Sequence, residues 1–371
     1  MRTERRLRPL ETTLSQLAAD WWKAPTSAWG LEKDDTIEVL MSEEQIASLD
    51  QVARVSKSRV DGGPADGMRV IDVALVGGLA FRVLPDRGLD IGSVWCASGD
   101  GRLLPISWTS RLGEEQPPLD YPAGRDWITR FSGGLLTTCG IDNVGPSSEG
   151  VGLHGSFSPR KASQVATVRS PMAGGDVQVV ITGVIDDADA LRRHIRVQRT
   201  ITSCTGKASI SVRDVVENLG VVDEPIPVLY HCNFGYPFWT DGASVTFPEG
   251  THTLPRDSDA VVDMNTTDFP GTGLGQPERV YEQCLPAGSA VAHIQSPASR
   301  LAVEVRWSGE TLDRCIQWIH PGAGISALGI EPSNASVLGR AHDRAEGRLP
   351  TLAPGASKTF WVEVSASSLG A

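Results

Sequence analysis

The sequence lacks the signatures of a membrane-spanning or secreted protein. No apolar run approaches the ~18–20 residues that a membrane span needs. The first residues, MRTERRLRPLETT, are basic but have no apolar segment behind them, so they do not resemble a secretory signal. The six cysteines are far apart and form no C-x-x-C pair, which disfavours a disulfide framework or a zinc knuckle. We therefore expect free, mostly buried thiols in a reducing cytoplasm.

Positive charge is also scarce. The 34 basic residues are outnumbered by 45 acidic ones, which gives a formal net charge of −11. This balance argues against nucleic acid or an anionic membrane surface as a partner, and it favours a neutral or weakly charged small molecule. The segment 271–275, GTGLG, lacks the preceding strand and following helix of a dinucleotide loop, and no nucleophile elbow or zincin motif is present. No nucleotide cofactor is expected.

From Met68 onward, apolar residues recur with the period of two that is typical of β-strands. The alternation or a β-branched run of strand length is found in segments 177–185, 192–202, 208–216, 301–307 and 360–364. Turn residues separate these segments, as expected for antiparallel sheets with one buried face. We predict an all-β sandwich domain at 68–371, with residues 1–67 as an N-terminal extension packed on it.

The extension differs in composition from the rest of the chain. It carries three of the ten tryptophans, and residues 42–50 are predicted to form a short helix. Ser42 is placed to cap this helix, and Gln45 stands at the spacing of a capping box. The segment 61–67, DGGPADG, is predicted to be a turn or a mobile connector.

Two segments combine chemically active side chains with a strand pattern. In 229–237, LYHCNFGYP, a strand places His231, Asn233 and Gly235 on one face, and Gly235 has no side chain to block a ligand. Glu331 follows an apolar stretch and precedes a proline, so burial at a strand end is expected to raise its pKa towards a value useful for a general base. A buried structural histidine and a turn-capping carboxylate remain the alternatives.

Further polar and aromatic residues are candidates for ligand contact. His154 is enclosed by glycines, which leaves its ring approachable, and Arg87 is flanked by Asp86 and Asp90. For these the alternatives are a turn histidine and a structural ion pair. Trp239 and Trp318 are candidate stacking platforms for a sugar ring, although such residues more often lie in a core.

Four motifs taken together resemble a known superfamily. They are the segments 86–91 (DRGLDI), 152–155 (GLHG), 231–237 (HCNFGYP) and 329–332 (GIEP). In this order they resemble the aldose 1-epimerase, or galactose mutarotase-like, superfamily, and within it the divergent bacterial branch that is DUF4432-like, a domain of unknown function. The resemblance covers roughly residues 68–365. It implies a galactose mutarotase-like antiparallel β-supersandwich with a sugar site on the concave face of one sheet.

The resemblance also implies a reaction and the residues that perform it. Two histidines and one glutamate serve the reaction in that superfamily, and by motif they fall on His154, His231 and Glu331. The implied activity is aldose 1-epimerase-like interconversion of sugar anomers without a cofactor, with Glu331 as base and His231 as acid. The remaining predicted sugar contacts are Arg87, Asn233, Asp86, Tyr236, Trp318 and Trp239.

Two other functions remain open from the sequence. His154, His231 and Glu331 also suit a divalent-metal triad, which would serve a metal-dependent isomerase, epimerase or lyase acting on a keto- or acid sugar. The same site could also belong to a non-catalytic sugar-binding module. In each case the expected partner is a small-molecule sugar rather than nucleic acid or a membrane, and a homo-oligomer is not excluded.

Overall fold

Antiparallel strands account for nearly all regular structure in this computed structural model, which describes residues 46–113, 127–172, 175–257, 261 and 263–369. The described residues belong to Glu38–Ala371, one of the two compact units into which the chain divides. The strands of the described part are β1 (Ala53–Arg59), β2 (Arg69–Leu75), β3 (Ala80–Leu84), β4 (Asp90–Ala97), β5 (Leu103–Pro105), β6 (Leu136–Gly140), β7 (Ser163–Pro171), β8 (Val177–Ala188), β9 (His194–Cys204), β10 (Lys207–Asn218), β11 (Glu224–Pro225), β12 (Val228–Gly235), β13 (Ser244–Thr246), β14 (His252–Pro255), β15 (Arg279–Cys284), β16 (Val291–Ser296), β17 (Leu301–Trp307), β18 (Arg314–His320), β19 (Ala327–Ser333), β20 (Thr351–Leu352) and β21 (Ser357–Ser368).

Two large sheets form the sandwich. The first has eleven strands in the order β1-β2-β3-β4-β6-β12-β19-β18-β15-β14, with β5 paired to β4. The second has eight strands in the order β13-β16-β17-β21-β10-β9-β8-β7, and β11 pairs with β20 in a small separate ribbon. A short α-helix, α1, spans Arg340–Ala345. The prediction of an all-β sandwich is confirmed, and the five segments with strand patterns form β8, β9, β10, β17 and β21 of the eight-stranded sheet.

The two faces of the eleven-stranded sheet have different roles. On β12, Tyr230, Cys232 and Phe234 point into the large apolar core between the sheets. The alternate residue Leu229 belongs to a second apolar cluster, together with Ile316 and others from the neighbouring strands. This second cluster lies on the face that points away from the eight-stranded sheet, which we call the outer face. His231 and Glu331 share the parity of this outer face.

The sheet begins earlier in the chain than the predicted domain boundary at residue 67. Strand β1 pairs with β2 over its whole length, from Ala53 opposite Leu75 to Arg59 opposite Arg69. The segment 61–67 is therefore the turn of a hairpin. Within the predicted helix at 42–50, residues 42–45 lie outside the described residues. The structure has a 3₁₀ helix at Leu49–Gln51, capped by Ser48 in a capping box.

A buried ionic network ties the two sheets together behind the outer face. The guanidinium of Arg199, on β9, donates to both oxygens of Asp214 on β10, at 2.9 and 2.7 Å, and also to Asp90 on β4. Tyr230, on β12, donates its hydroxyl to Asp214 at 2.7 Å. The side chain of Arg199 is fully buried. Asp90, which flanks Arg87 in the sequence, is thus part of a structural ion pair.

None of the helices within the described ranges is long and apolar enough to cross a membrane.

Removal of the buried cation tests the role of this network. We expect Arg199→Met to lower the free energy of unfolding by about 3–5 kcal/mol, because Asp90 and Asp214 would be left buried without a counter-charge. The measurement is urea unfolding at 25 °C. The control is Arg82→Met, whose ion pair with Asp72 at 2.7 Å is partly exposed and should contribute no more than about 1 kcal/mol. Equal losses in the two variants would contradict the assignment.

Candidate active site

His231 and Glu331 meet on adjacent strands of the eleven-stranded sheet. The register of β12 on β19 pairs Cys232 with Ile330 and Asn233 with Gly329, which sets His231 opposite Glu331. Nε2 of His231 lies 3.1 Å from Oε1 of Glu331, and the two side chains are only 5% and 3% exposed. The two groups expected to act together are therefore brought together as direct neighbours.

Four aromatic side chains surround this pair on the outer face. The centroid of the His231 ring lies 5.0 Å from that of Phe131, 5.3 Å from that of Trp318 and 6.1 Å from that of Trp127. Trp108 packs in turn on Phe131 and Trp318. Of the four, only Trp318 was predicted. The others lie outside the named strands, where no periodic pattern marks a residue as facing the site.

Burial shifts the pKa values of His231 and Glu331 in opposite directions. Burial lowers the pKa of His231 to about 3, and the proximity of His154 adds to this, while the Asn233 side chain opposes it. Burial also raises the pKa of Glu331 well above its usual range, as expected from the sequence, and the negative charge of Glu278 adds to the shift. Burial therefore favours the uncharged form of both groups, a neutral imidazole and a protonated carboxyl group.

His154 contributes a second, half-buried imidazole. Its ring centroid is 4.5 Å from that of Trp127, and its backbone has a left-handed φ of +54°. Nδ1 accepts a hydrogen bond from the backbone N–H of Gly145 at 3.4 Å, which leaves the ring proton on Nε2. Burial lowers the pKa of His154 to about 4, and the charge of Arg256 contributes. His154 is thus a neutral hydrogen-bond donor.

Two glycines on the same face have different effects. A Cβ atom at Gly329 would lie 2.6 Å from Oε1 of Glu331 and 3.0 Å from Cε1 of His231, so the absence of a side chain there makes room for the pair. The space above Gly235, which we expected to be open to a ligand, is filled instead. A Cβ atom at Gly235 would lie 2.8 Å from the side chain of Trp108.

Several predicted sugar contacts have structural partners or lie elsewhere. Asp86 forms an ion pair with the guanidinium of Arg69, and Arg87 donates to the backbone carbonyl of Arg130. Asp86 therefore belongs to a structural ion pair, the alternative that the sequence left open for this segment, and we do not assign it to a ligand. Trp239 lies in the core between the sheets, where it is 1% exposed and packs edge-on against Phe269. Because it is buried there, it cannot stack on a sugar.

The two other predicted contacts, from the segment of His231, differ in exposure. Asn233 is completely buried, and its amide N–H groups donate to the carbonyls of Gly134 at 3.0 Å and His231 at 2.9 Å. Tyr236 is 74% exposed.

Charged residues that the sequence did not single out lie beside Trp318. Glu278 accepts a hydrogen bond from Nε1 of Trp318 at 2.8 Å. Arg256 lies 3.6 Å from the other oxygen of Glu278 and pairs with Asp257 at 2.7 Å. Arg256 and Glu278 affect the pKa of Glu331 in opposite directions. They come from segments with no motif, so only their position in the fold reveals them.

The metal alternative requires His154, His231 and Glu331 to converge on one point. Across the part of the chain that the structure describes, no group of three or more His, Cys, Asp or Glu side chains is arranged to hold a metal ion. Nε2 of His231 and Oε1 of Glu331 are in direct contact at 3.1 Å.

Most of the sequence matches a family profile. Residues 65–366 match DUF4432, a domain of unknown function. The chain belongs to the DUF4432 family. No curated protein sequence matches this DUF4432 chain.

Solved structures show which fold this DUF4432 protein has. A protein from Klebsiella pneumoniae, provisionally named an aldose 1-epimerase, is 20% identical with a TM-score of 0.75, over 85% of this chain and 84% of its own. A galactose mutarotase-like protein from Clostridium acetobutylicum is 15% identical with a TM-score of 0.55, over 86% and 99%. A GalM/aldose epimerase homologue from C. elegans is 13% identical with a TM-score of 0.51, over 79% and 97%. The fold is therefore galactose mutarotase-like, as the motifs implied.

The raised pKa of Glu331 predicts that the free energy of unfolding falls as pH rises. Because its pKa is raised in the folded state, the protein loses stability relative to the unfolded chain as pH rises above the ordinary value of 4.5. Glu331→Gln keeps the size of the side chain but cannot ionise. We expect this variant to gain stability relative to the wild type as pH rises from 4.5, by up to ~1.4 kcal/mol per pH unit below the folded pKa.

The measurement is urea unfolding of both proteins at pH 4.5 and pH 7.5. The comparison at pH 4.5 is the internal reference, because the carboxyl group is only half ionised in the unfolded chain there, so its ionisation has cost the folded protein little stability. A stability difference that is the same at the two pH values would show that the carboxyl group ionises as freely in the folded protein as in the unfolded chain.

Proposed function

We propose that this protein interconverts the anomers of an aldose or a related sugar by general acid–base catalysis. The observation that carries the proposal is the contact between His231 and Glu331 at 3.1 Å on the outer face of the eleven-stranded sheet. Ring opening needs one group that takes a proton and one that gives a proton, and this pair contains both. The names of the structural neighbours, which include aldose epimerases and mutarotases, support the same reaction class.

The pKa shifts suggest which group does what. Burial favours the protonated carboxyl group of Glu331 and the neutral imidazole of His231, so in this proposal Glu331 donates to the ring oxygen and His231 accepts the proton of the anomeric hydroxyl. These roles are the reverse of those that the family resemblance implied. The ring bond breaks to give an open-chain aldehyde, and the pair becomes an imidazolium and a carboxylate in contact. After rotation about the C–C bond, both protons return and the ring closes as the other anomer.

The surrounding residues bind and orient the sugar in this proposal. His154 offers its Nε2–H as a fixed neutral donor to a sugar oxygen, because its Nδ1 is held by Gly145. The ring of Trp318 offers an apolar surface for the C–H face of a sugar. His231 and Glu331 are almost completely buried, so a sugar reaches them only after at least one of the surrounding aromatic side chains rotates.

Substitution of either member of the pair tests the proposal. We expect Glu331→Gln and His231→Asn each to reduce the rate of anomer exchange by ~10²–10⁴, because each removes one proton-transfer group. The measurement is NMR exchange spectroscopy between the α and β anomers of a panel of aldoses, with the uncatalysed rate subtracted. Thermal unfolding shows whether each variant remains folded.

A matched control is another His–Glu pair within the described residues. His293 and Glu304 lie 3.3 Å apart on the eight-stranded sheet, and His293 is 46% exposed. His293→Asn and Glu304→Gln should leave the exchange rate unchanged. Full activity of Glu331→Gln would contradict the proposed mechanism. A wild-type protein that binds a sugar in calorimetry but leaves its anomer exchange at the uncatalysed rate would instead be a non-catalytic sugar-binding module.

A further inference from the structure

Asn233 shares the outer face with His231, two residues along the same strand, and was expected to contact the sugar. Its side chain is completely buried, however, and both amide N–H groups have backbone acceptors. The carbonyls of Gly134 and His231 can only accept hydrogen bonds, so the orientation of the amide is fixed. Its oxygen, Oδ1, is therefore the atom that remains for a further interaction.

One buried atom on each of these two interacting side chains lacks a hydrogen-bond partner. Within the described ranges, neither Oδ1 of Asn233 nor Nδ1 of His231 has a hydrogen-bond partner. A buried polar atom without a partner is costly, and one hydrogen bond between these two would satisfy both. The χ2 torsion of histidine is broad, so the imidazole ring can rotate about it without leaving a favoured conformation. Although burial and His154 lower the pKa of His231, Asn233 acts in the opposite direction, as an acceptor for a ring N–H does.

We propose that Asn233 is a positioning residue that holds His231 in its Nδ1–H tautomer through its fixed amide oxygen. In this tautomer Nε2 carries a lone pair, and this is the atom that lies 3.1 Å from Oε1 of Glu331. The pair then has a defined arrangement, with an acceptor on His231 and the mobile proton on Glu331. This inference deepens the proposed function, and the expected effect of Asn233 on catalysis rests on that function. The tautomer itself can be measured without any sugar.

The tautomer is read from two-bond ¹H–¹⁵N correlation spectra of protein labelled with ¹⁵N-histidine. The chain has seven histidines, and the spectrum of His231→Gln identifies the signals of His231. We expect the wild type to show a protonated Nδ1 and an unprotonated Nε2 between pH 6 and 8. In Asn233→Ala, protonation of Nδ1 should no longer dominate, and we expect the rate of anomer exchange to fall about 10- to 100-fold, by analogy with the loss found when the partner that orients a metal-binding histidine is removed.

The matched control is Asn218→Ala. Asn218 is also completely buried, and its amide donates to two backbone carbonyls, those of Val222 at 2.8 Å and Leu352 at 2.7 Å. This variant should lose stability in the same way as Asn233→Ala but keep the tautomer of His231. A change of tautomer in both variants would indicate a general structural effect and would overturn the inference.

Two other outcomes would also overturn it. They are a wild-type spectrum with the proton on Nε2, and a tautomer that does not change in Asn233→Ala. If Asn233→Ala does not fold, the wild-type spectrum alone decides between the two tautomers. A protein that shows the expected tautomer and its loss, but never exchanges sugar anomers, would leave this inference standing and remove the proposed function.

Discussion

The register of β12 on β19 is the constraint on which the site depends. Side chains alternate across a sheet, so a shift of one strand by one residue would turn His231 from the outer face into the core. The same register sets Asn233 opposite Gly329, where the missing side chain leaves space for the pair. From the other face, the hydroxyl of Tyr230 bonds to Asp214 of the second sheet, so a buried ionic network stabilises the register from behind.

Burial explains both the reactivity expected of the pair and its cost. Removal from water disfavours the charged form of each group, which lowers the pKa of His231 and raises that of Glu331. Two isolated groups would simply remain neutral, but these two are in contact. In the proposed reaction, transfer of protons through the sugar would create an imidazolium and a carboxylate side by side, so each new charge would stabilise the other. The aromatic side chains that exclude water strengthen this attraction.

Strand periodicity predicted the sandwich but could not predict which residues cover the site. The alternation in segments such as 301–307 reflects one buried face, and β17 has the same bounds. It also set His231 and Asn233 on one face. The partnership of His231 with Glu331 came instead from the family resemblance, because no local pattern shows which distant strands pair. Trp108 fills the space above Gly235 from a connecting segment, where no period identifies its direction.

The case of Asn233 shows why a shared face does not determine a shared role. A polar residue in the interior of a central strand meets its own backbone neighbours before it meets a ligand. For Asn233, the carbonyls of Gly134 and His231 take both amide N–H groups and leave only an oxygen beside the imidazole. Asp86 shows the same effect more strongly, since Arg69 takes both of its oxygens. At both positions, local partners take the polar atoms that the sequence pattern offered to a ligand.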